Sequence, residues 1–179
     1  MWPKYILIFI LFYVFAVLQT SFLVHFAFFG SVPNLIFIFL FTLLFFEKKA
    51  GCYEIIFYAI SAGLFLDLFS NTFFGLSIAL AVVMAFLIKK TQGLLQEQSN
   101  DKFPFGYFLP LFIVSLLVYG IFARLFENNF KINQIFTGIN IGSISGLVYN
   151  LLAATAIYFI YREIFSTGFE DRQLNLFKK

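Results

Sequence analysis

Few residues of this sequence have types that could do chemistry, and they are spread along strongly apolar segments. Asp67 and Glu54 are the only acids inside those segments. His25 has no acid near it in the sequence, so we expect no Ser–His–Asp set. With Cys52 as the single cysteine, a zinc site with nitrogen and sulfur ligands is not expected either. Glycine-rich phosphate loops are also missing. We therefore expect a protein that is not an enzyme and holds no metal or cofactor.

Asp67 is conspicuous because it interrupts the apolar run GLFLDLFSNTFFGLS, residues 63–77. A carboxylate at membrane depth is costly unless it is paired, protonated or hydrated. One hypothesis is an ion pair with Arg124 across a helix bundle. In the competing interpretation Arg124 pairs with Glu127 one turn away, and Asp67 accepts hydrogen bonds from residues 70–72 or from water. In either case Asp67 is a structural or partner-contacting anchor.

The composition identifies lipid as the main surroundings of the chain. Of the 179 residues, 61% are hydrophobic and 12% are charged, and the mean hydropathy is +0.93. A soluble domain of this size has too little interior to bury so much apolar surface. We interpret the thirty phenylalanines as lipid-facing side chains. The net charge of +3 lies in short clusters between apolar runs, which indicates membrane topology and not a nucleic-acid partner.

The elements that must position Asp67 are six predicted transmembrane helices in one compact bundle domain, residues 1–162, followed by a cytoplasmic tail, residues 163–179. The predicted spans are 5–24, 33–46, 52–69, 74–88, 107–126 and 138–161. The second and fourth are shorter than the roughly 20 residues of a straight crossing. Tilting, extension or shielding by neighbouring helices would each accommodate them. We expect Pro110 in the first turn of the fifth helix.

The positions of lysine and arginine predict the orientation of this bundle. Ten of the twelve fall on one side of the six-helix arrangement, among them Lys4, Lys48, Lys49, Lys89 and Lys90. By the positive-inside rule this side is cytoplasmic, so both termini are predicted to lie in the cytoplasm.

Small and polar residues at a spacing of four predict the inward faces of the helices. In the last helix the stripe is Gly138, Gly142, Gly146, Asn150 and Ala154. Such a face lets another helix approach closely, and a membrane-buried asparagine needs hydrogen-bond partners. The stripe packs either inside the bundle or against a partner protein, and the pattern leaves both open. In the third helix Gly63 and Asp67 share a face in the same way.

The first half of the sequence resembles the rod shape-determining membrane protein family MreD over about residues 17–90. The matching stretches are QTSFL, VPNLIFIFLFTLLFF, the basic turn EKK, and GLFLDLFSNTFFGLS. Within them the residues that match the family motifs are Pro33, Asn34, Leu35, Gly63, Leu66, Asp67, Ser70, Phe74, Gly75 and Leu76. Asn34 matches as the polar residue after the proline, but the family often has an acid at that position.

The resemblance implies a non-catalytic scaffold of the cell-elongation machinery in a bacterial cytoplasmic membrane. Its expected partners are the bitopic protein MreC and other elongation proteins, which connect the MreB filament inside the cell to peptidoglycan synthesis outside. Neither a nucleic acid nor a small-molecule substrate is expected. The stripe of the last helix and the Gly63–Asp67 region are the predicted partner or packing surfaces.

A second function, from a different class, follows from the same resemblance. The MreD family is similar in fold to the substrate-binding subunits of energy-coupling-factor vitamin transporters. Such a subunit needs convergent polar groups at the outer end of the bundle. The sequence offers Gln19, Thr20, His25, Asn34, Asp67, Asn71, Arg124 and Asn140 there.

Overall fold

The computed structural model describes residues 2–27, 29–47, 50–69, 74–96, 105–127 and 141–168. Within these ranges it confirms an all-helical fold with six α-helices. Their bounds are α1 Trp2–Val17, α2 Leu35–Phe46, α3 Cys52–Leu68, α4 Leu76–Gln96, α5 Phe105–Glu127 and α6 Ile141–Gly168. After α1 the chain continues as a π-helical turn, Leu18–Phe22, and a 3-10 turn, Leu23–Phe26.

Four of the described helical segments are long and apolar enough to cross a membrane. They are Pro3–Phe26, Leu76–Leu94, Phe105–Phe126 and Gly142–Glu163. Because the helix α4 continues past residue 88 to Gln96, the fourth segment is long enough to cross although its predicted span was short. These four segments indicate a membrane protein.

The helix α2 is short and lies at the centre of the bundle. Its twelve residues correspond to about 18 Å, well under the roughly 30 Å of a bilayer's hydrocarbon core. Every residue of α2 except Phe46 is buried. The helices α1, α3, α4 and α6 contact its backbone closely, and α5 packs against it through aromatic rings. The short second segment is thus surrounded by protein on all sides.

Phenylalanine rings form much of this packing around α2. The Phe41 ring makes edge-on contacts with Phe108 and Phe112 of α5, with centroids 5.3 and 5.1 Å apart. On another side of α2, Phe39 packs against Phe12 of α1 at 5.0 Å. The interpretation of the phenylalanines as lipid-facing is therefore wrong for the eight that are buried in the described part of the chain, which are Phe12, Phe37, Phe39, Phe41, Phe45, Phe65, Phe108 and Phe112. Edge-to-face contacts of this kind stabilise a core beyond simple area burial.

Side chains from two other helices bind the backbone groups at both ends of α2. At its start, the Asn34 Oδ1 accepts the Phe37 N–H at 3.0 Å, and the Asn34 N–H donates to Asn150 Oδ1 of α6 at 2.8 Å. At its end, Gln92 and Lys89 of α4 donate to the carbonyls of Phe45 and Glu47. A helix end inside a bilayer has no water for its unsatisfied groups, so such caps are required.

Successive helices run in opposite directions, which gives the bundle two ends. The Lys4 end contains the start of α1, the turn between α2 and α3, and the later part of α4. The Asp67 end contains the end of α3, the start of α4 and the starts of α2 and α6.

Proline 110 lies inside the helix α5 and not in its first turn, so that prediction is wrong. The helix begins earlier, at Phe105, because the first turn packs against α6. The Phe105 and Phe108 rings lie 5.0 and 4.6 Å from Tyr158. This packing stabilises a turn before the proline, whose missing N–H interrupts only one backbone hydrogen bond.

Candidate functional site

At the Asp67 end, Gly63 allows α3 and α4 to approach with their backbones in contact. A β-carbon placed on Gly63 would lie 2.4 Å from the Ile78 Cα and 2.8 Å from the Ile78 nitrogen. No side chain can occupy that space without moving one helix. Small residues commonly permit such close approach in membrane bundles. The helices α3 and α4 make the most extensive contact of any pair in the described structure.

Asp67 lies one turn beyond Gly63 and binds the first backbone groups of α4. Its Oδ2 accepts the N–H of Gly75 at 2.7 Å and that of Ile78 at 3.3 Å, and its Oδ1 accepts the N–H of Ser77 at 2.9 Å. The side chain is buried. A carboxylate at a helix N-terminus receives unsatisfied N–H donors and also complements the positive end of the helix dipole. Asp67 is thus the cap of the next helix.

The turn before α4 requires a glycine for this arrangement. Gly75 has φ +98°, a left-handed conformation that residues with a β-carbon rarely adopt. Its N–H consequently reaches the Asp67 carboxylate. Phe74, the residue before it, is largely exposed, and Leu76 begins α4. The residues Ser70 to Phe73 lie outside the described part of the chain.

The stripe on α6 faces the segment that leads into α2. Ser31 donates from its Oγ to the Gly142 carbonyl, and Ser145 contacts the Ser31 hydroxyl at 3.3 Å. A β-carbon on Gly146 would meet the Ser31 Oγ at 3.4 Å. One turn later, the Asn150 Nδ2 donates to the Gly146 carbonyl at 2.7 Å.

These contacts show which neighbours the described residues of the stripe face. Gly146 and Asn150 face Ser31 and Asn34, and Ala154 is fully buried. The packing of this part of the stripe is internal. Gly138 lies outside the described residues, and so does Asn140 of the predicted outer polar set.

Arg124 of α5 binds the start of α6. Its Nη2 donates to the Ser143 Oγ at 2.9 Å. This contact joins α5 and α6 at the Asp67 end, whereas the aromatic contacts between the same two helices, from Phe105 and Phe108 to Tyr158, lie at the other end. The ion pair between Asp67 and Arg124 stays a prediction, and the side chain of Glu127 lies outside what the structure describes.

A cavity of about 250 Å³, which we name the Gln19 cavity, opens at the Asp67 end. It is lined by residues of α2 to α5, of the π-helical turn after α1 and of positions next to α2 and α3: Gln19, Asn34, Ile36, Leu66, Phe69, Leu76, Ser77, Leu80, Tyr119 and Ala123. Gln19 lies in the π-helical turn, and its Oε1 is buried with no hydrogen-bond partner among the described residues. A buried acceptor left in this state costs about 1–3 kcal/mol. Turns of π-helix are often found at functional sites.

At the Lys4 end, charged and phenolic side chains form a cluster that sequence reasoning did not find. The Lys4 Nζ lies 3.0 Å from Glu47 and 3.5 Å from Glu54. The Tyr58 hydroxyl donates to Glu47 at 2.7 Å, and the Tyr5 hydroxyl donates to Glu54 at 3.2 Å. Since Lys4 is nearly half exposed, the ion pairs contribute less than about 1 kcal/mol each.

The same cluster explains the position of Glu54 in the first turn of α3. Its Oε2 accepts the Gly51 N–H at 3.0 Å, which is a bond at the N-terminus of the helix. The sequence did place Lys4 of α1, Glu47 after α2 and Glu54 of α3 at the same predicted end of the bundle. Read only as topology markers, these residues gave no hint that they contact one another.

Within the described ranges no three His, Cys, Asp or Glu side chains come together in a group that could hold a metal ion. Cys52, at the start of α3, is exposed. Comparisons with protein-family models, curated proteins and solved structures found no match to this chain.

Proposed function

We propose that this chain is a non-catalytic scaffold of the cell-elongation machinery in a bacterial cytoplasmic membrane, with the role of an MreD protein. In this role the bundle binds the bitopic protein MreC and connects the MreB filament to peptidoglycan synthesis. Both termini lie in the cytoplasm, on the side of the Lys4 end, and α2 and α3 complete a six-helix transmembrane bundle.

The observation that supports this proposal most directly is the geometry of Asp67. The carboxylate in the motif that resembles MreD accepts three backbone N–H groups of α4, and Gly63 in the same motif sets the distance between α3 and α4. Both residues maintain the shape of the bundle. A scaffold needs such a fixed shape so that partners meet a constant surface.

The other motif that resembles the family, Pro33 and Asn34, also has a structural role. Pro33 is buried, and Asn34 caps the start of α2 and bonds to Asn150 of α6. The two motifs therefore meet at the Asp67 end, where Asn34 and Ser77 line the same cavity.

Deletion of the gene in its native host tests the proposal. We expect rod-shaped cells to become round, and we expect affinity-tagged protein to retain an MreC-like single-span protein after membrane solubilisation. A Gly120→Ala variant expressed in the deletion strain should restore the rod shape and retain the single-span protein. A β-carbon on Gly120 meets no atom within 4 Å, so this variant should fold normally. Normal cell shape together with no retained bitopic protein would contradict the proposal.

A solute-binding transporter subunit is the second candidate, and the Gln19 cavity favours it. The cavity brings Gln19, Asn34, Ser77 and Tyr119 together at one end of the bundle. The same affinity purification separates the two functions. Retention of transporter ATPases and a coupling subunit, in place of the bitopic protein, would support this second candidate.

A further inference from the structure

We propose that the Gln19 cavity binds a small neutral molecule with an apolar body and a carbonyl oxygen, and that this oxygen accepts a hydrogen bond from Asn34 Nδ2. The sequence alone predicted no small-molecule substrate. The site goes beyond the scaffold function and does not depend on it, because binding to the purified chain is what tests it.

The first argument is the donor group of Asn34. Its Oδ1 accepts the Phe37 N–H at 3.0 Å, and this bond fixes which end of the amide carries the NH₂ group. Among the described residues Nδ2 makes no hydrogen bond, yet it is not enclosed by protein. Since Asn34 lines the cavity, its NH₂ group is accessible to an acceptor there.

The second argument is the hydroxyl of Ser77, which lines the same cavity. Ser77 is buried, with 7% of its surface exposed, and its backbone N–H donates to Asp67. Within the described ranges its Oγ makes no hydrogen bond, and this atom is not enclosed either. Polar side-chain groups of buried residues nearly always have a partner. Asn34 and Ser77 thus leave one NH₂ group and one hydroxyl for an occupant of the cavity.

The two amides that line the cavity require an acceptor on the ligand. Gln19 Oε1 is enclosed by protein, so it does not face the open space. Asn34 Oδ1 is already bound to the Phe37 N–H. Asn34 Nδ2 can only donate. A ligand that matches this lining must therefore bring an oxygen that accepts, and a carbonyl is the simplest neutral group that does so.

Size and charge restrict the rest of the ligand. About 250 Å³ lies just below the range typical of pockets for drug-sized ligands, which suits a molecule with one or two rings. The side chains of Ile36, Leu66 and Leu80 give this space apolar walls. Among the ten lining residues that the structure describes there is no lysine, arginine, aspartate or glutamate, so a charged ligand would find no counter-charge in the lining. The ligand is therefore neutral, and it comes either from the aqueous phase or from a neutral membrane lipid.

A matched pair of probes tests this chemistry. The ketone 1-indanone has two fused rings and one carbonyl oxygen, and the hydrocarbon 1-methyleneindane has nearly the same shape with a CH₂ group in place of that oxygen. We would titrate both into the full chain in nanodiscs and follow binding by saturation-transfer NMR. Empty nanodiscs of the same lipid give the signal from partition, which is subtracted. We expect the ketone to bind about tenfold more tightly than the hydrocarbon, the effect of one hydrogen bond.

Two polar variants identify the group that binds the ketone. Asn34→Asp keeps an oxygen for the Phe37 N–H and places a second oxygen where the NH₂ group was. Aspartate caps helices about as well as asparagine, so this variant should fold. The ketone should bind about tenfold more weakly to it and no more tightly than the hydrocarbon. Ser77→Ala removes the hydroxyl and should weaken the ketone about threefold while leaving the hydrocarbon unchanged.

Two variants of equal size locate the binding in the cavity. Ala123→Phe fills the cavity and should abolish binding of both probes. Ala79→Phe makes the same change on an exposed face of α4 and should alter neither.

Several results would overturn the proposal. Equal binding of the two probes to the unaltered protein means that the lining does not select a carbonyl, and no binding of either means that the cavity holds only water. Binding that survives Ala123→Phe lies elsewhere. A preference for the ketone that persists in Asn34→Asp excludes the proposed hydrogen bond. Should Asn34→Asp fail to fold, Ser77→Ala decides in its place, and an unchanged preference there overturns the proposal.

Native mass spectrometry of the purified protein identifies the source of the natural ligand. An adduct that Ala79→Phe keeps and Ala123→Phe loses supports the site, and its mass distinguishes a lipid from a soluble compound.

Discussion

The Asp67 carboxylate accepts the backbone N–H of Gly75 at 2.7 Å, across the turn that joins α3 to α4. With the N–H groups of Ser77 and Ile78 it accepts three such bonds. An acid inside an apolar run thus lies where the chain re-enters the bundle and where helix N–H groups need acceptors. The Asp67 carboxylate therefore stabilises the turn between α3 and α4.

Asp67→Asn should lower the free energy of unfolding by about 3 kcal/mol. The amide has one oxygen to offer and directs its NH₂ at a backbone donor, while the favourable interaction of the charge with the helix start is lost. Unfolding by SDS titration in mixed micelles measures the change. Ser77→Ala keeps the backbone N–H that Asp67 binds and should cost much less. Equal losses in the two variants would show that the carboxylate is not the main contributor.

Gly63→Ala should destabilise the protein by about 2 kcal/mol or more. The added β-carbon would lie 2.4 Å from the Ile78 Cα, so α3 and α4 must separate along their contact. Gly120→Ala is the matched control in α5, where the added carbon meets nothing within 4 Å. The control should leave stability unchanged or raise it slightly, because alanine favours helix. A similar melting temperature for the two variants would contradict the close approach.

Asn150→Leu should cost about 1–2 kcal/mol, since it removes the acceptor for the Asn34 N–H at the start of α2. Thr155→Val on the same helix is the comparison, because Thr155 bonds only to the Leu151 carbonyl of its own helix in the contacts described. Hydrogen exchange gives a second measurement. We expect faster exchange at the first turn of α2 in Asn150→Leu and unchanged exchange in Thr155→Val.

Cys52 permits a direct measurement of orientation. It is the single cysteine and is exposed at the start of α3, near the Lys4 end. If that end is cytoplasmic, a membrane-impermeant maleimide should label Cys52 only after the cells are opened. Phe74→Cys in a Cys52→Ser background should be labelled in intact cells, since residue 74 is exposed at the Asp67 end. The reverse pattern would invert the proposed topology.

The apolar runs of the sequence were sufficient to predict the six helices. Small residues at a spacing of four predicted one close-packing face on α3 and one on α6, but they left open whether the α6 face meets the bundle or a partner. The sequence was not sufficient to predict which distant group each polar residue binds. The bond from Asn34 to Asn150 joins residues 116 positions apart. Nothing in the local pattern of either helix selects that partner.

Two further features, the buried phenylalanines and the cavity, could not be predicted from the sequence. Phenylalanine suits lipid and a packed core equally well, so its abundance alone did not reveal that Phe37 and Phe41 pack on α5. One wall of the cavity is Gln19, which lies in a π-helical turn, and such a turn has no clear sequence signature. Both features arise from the arrangement of several helices together.

The caps of α2 bear on how the chain is made. Ribosomes synthesise α2 before α4 and α6, yet Lys89, Gln92 and Asn150 of those later helices bind its ends. A nascent α2 therefore lacks these partners until α4 and α6 have been synthesised. We accordingly expect the packing around α2 to be completed only when α6, the last of the described helices, has been made.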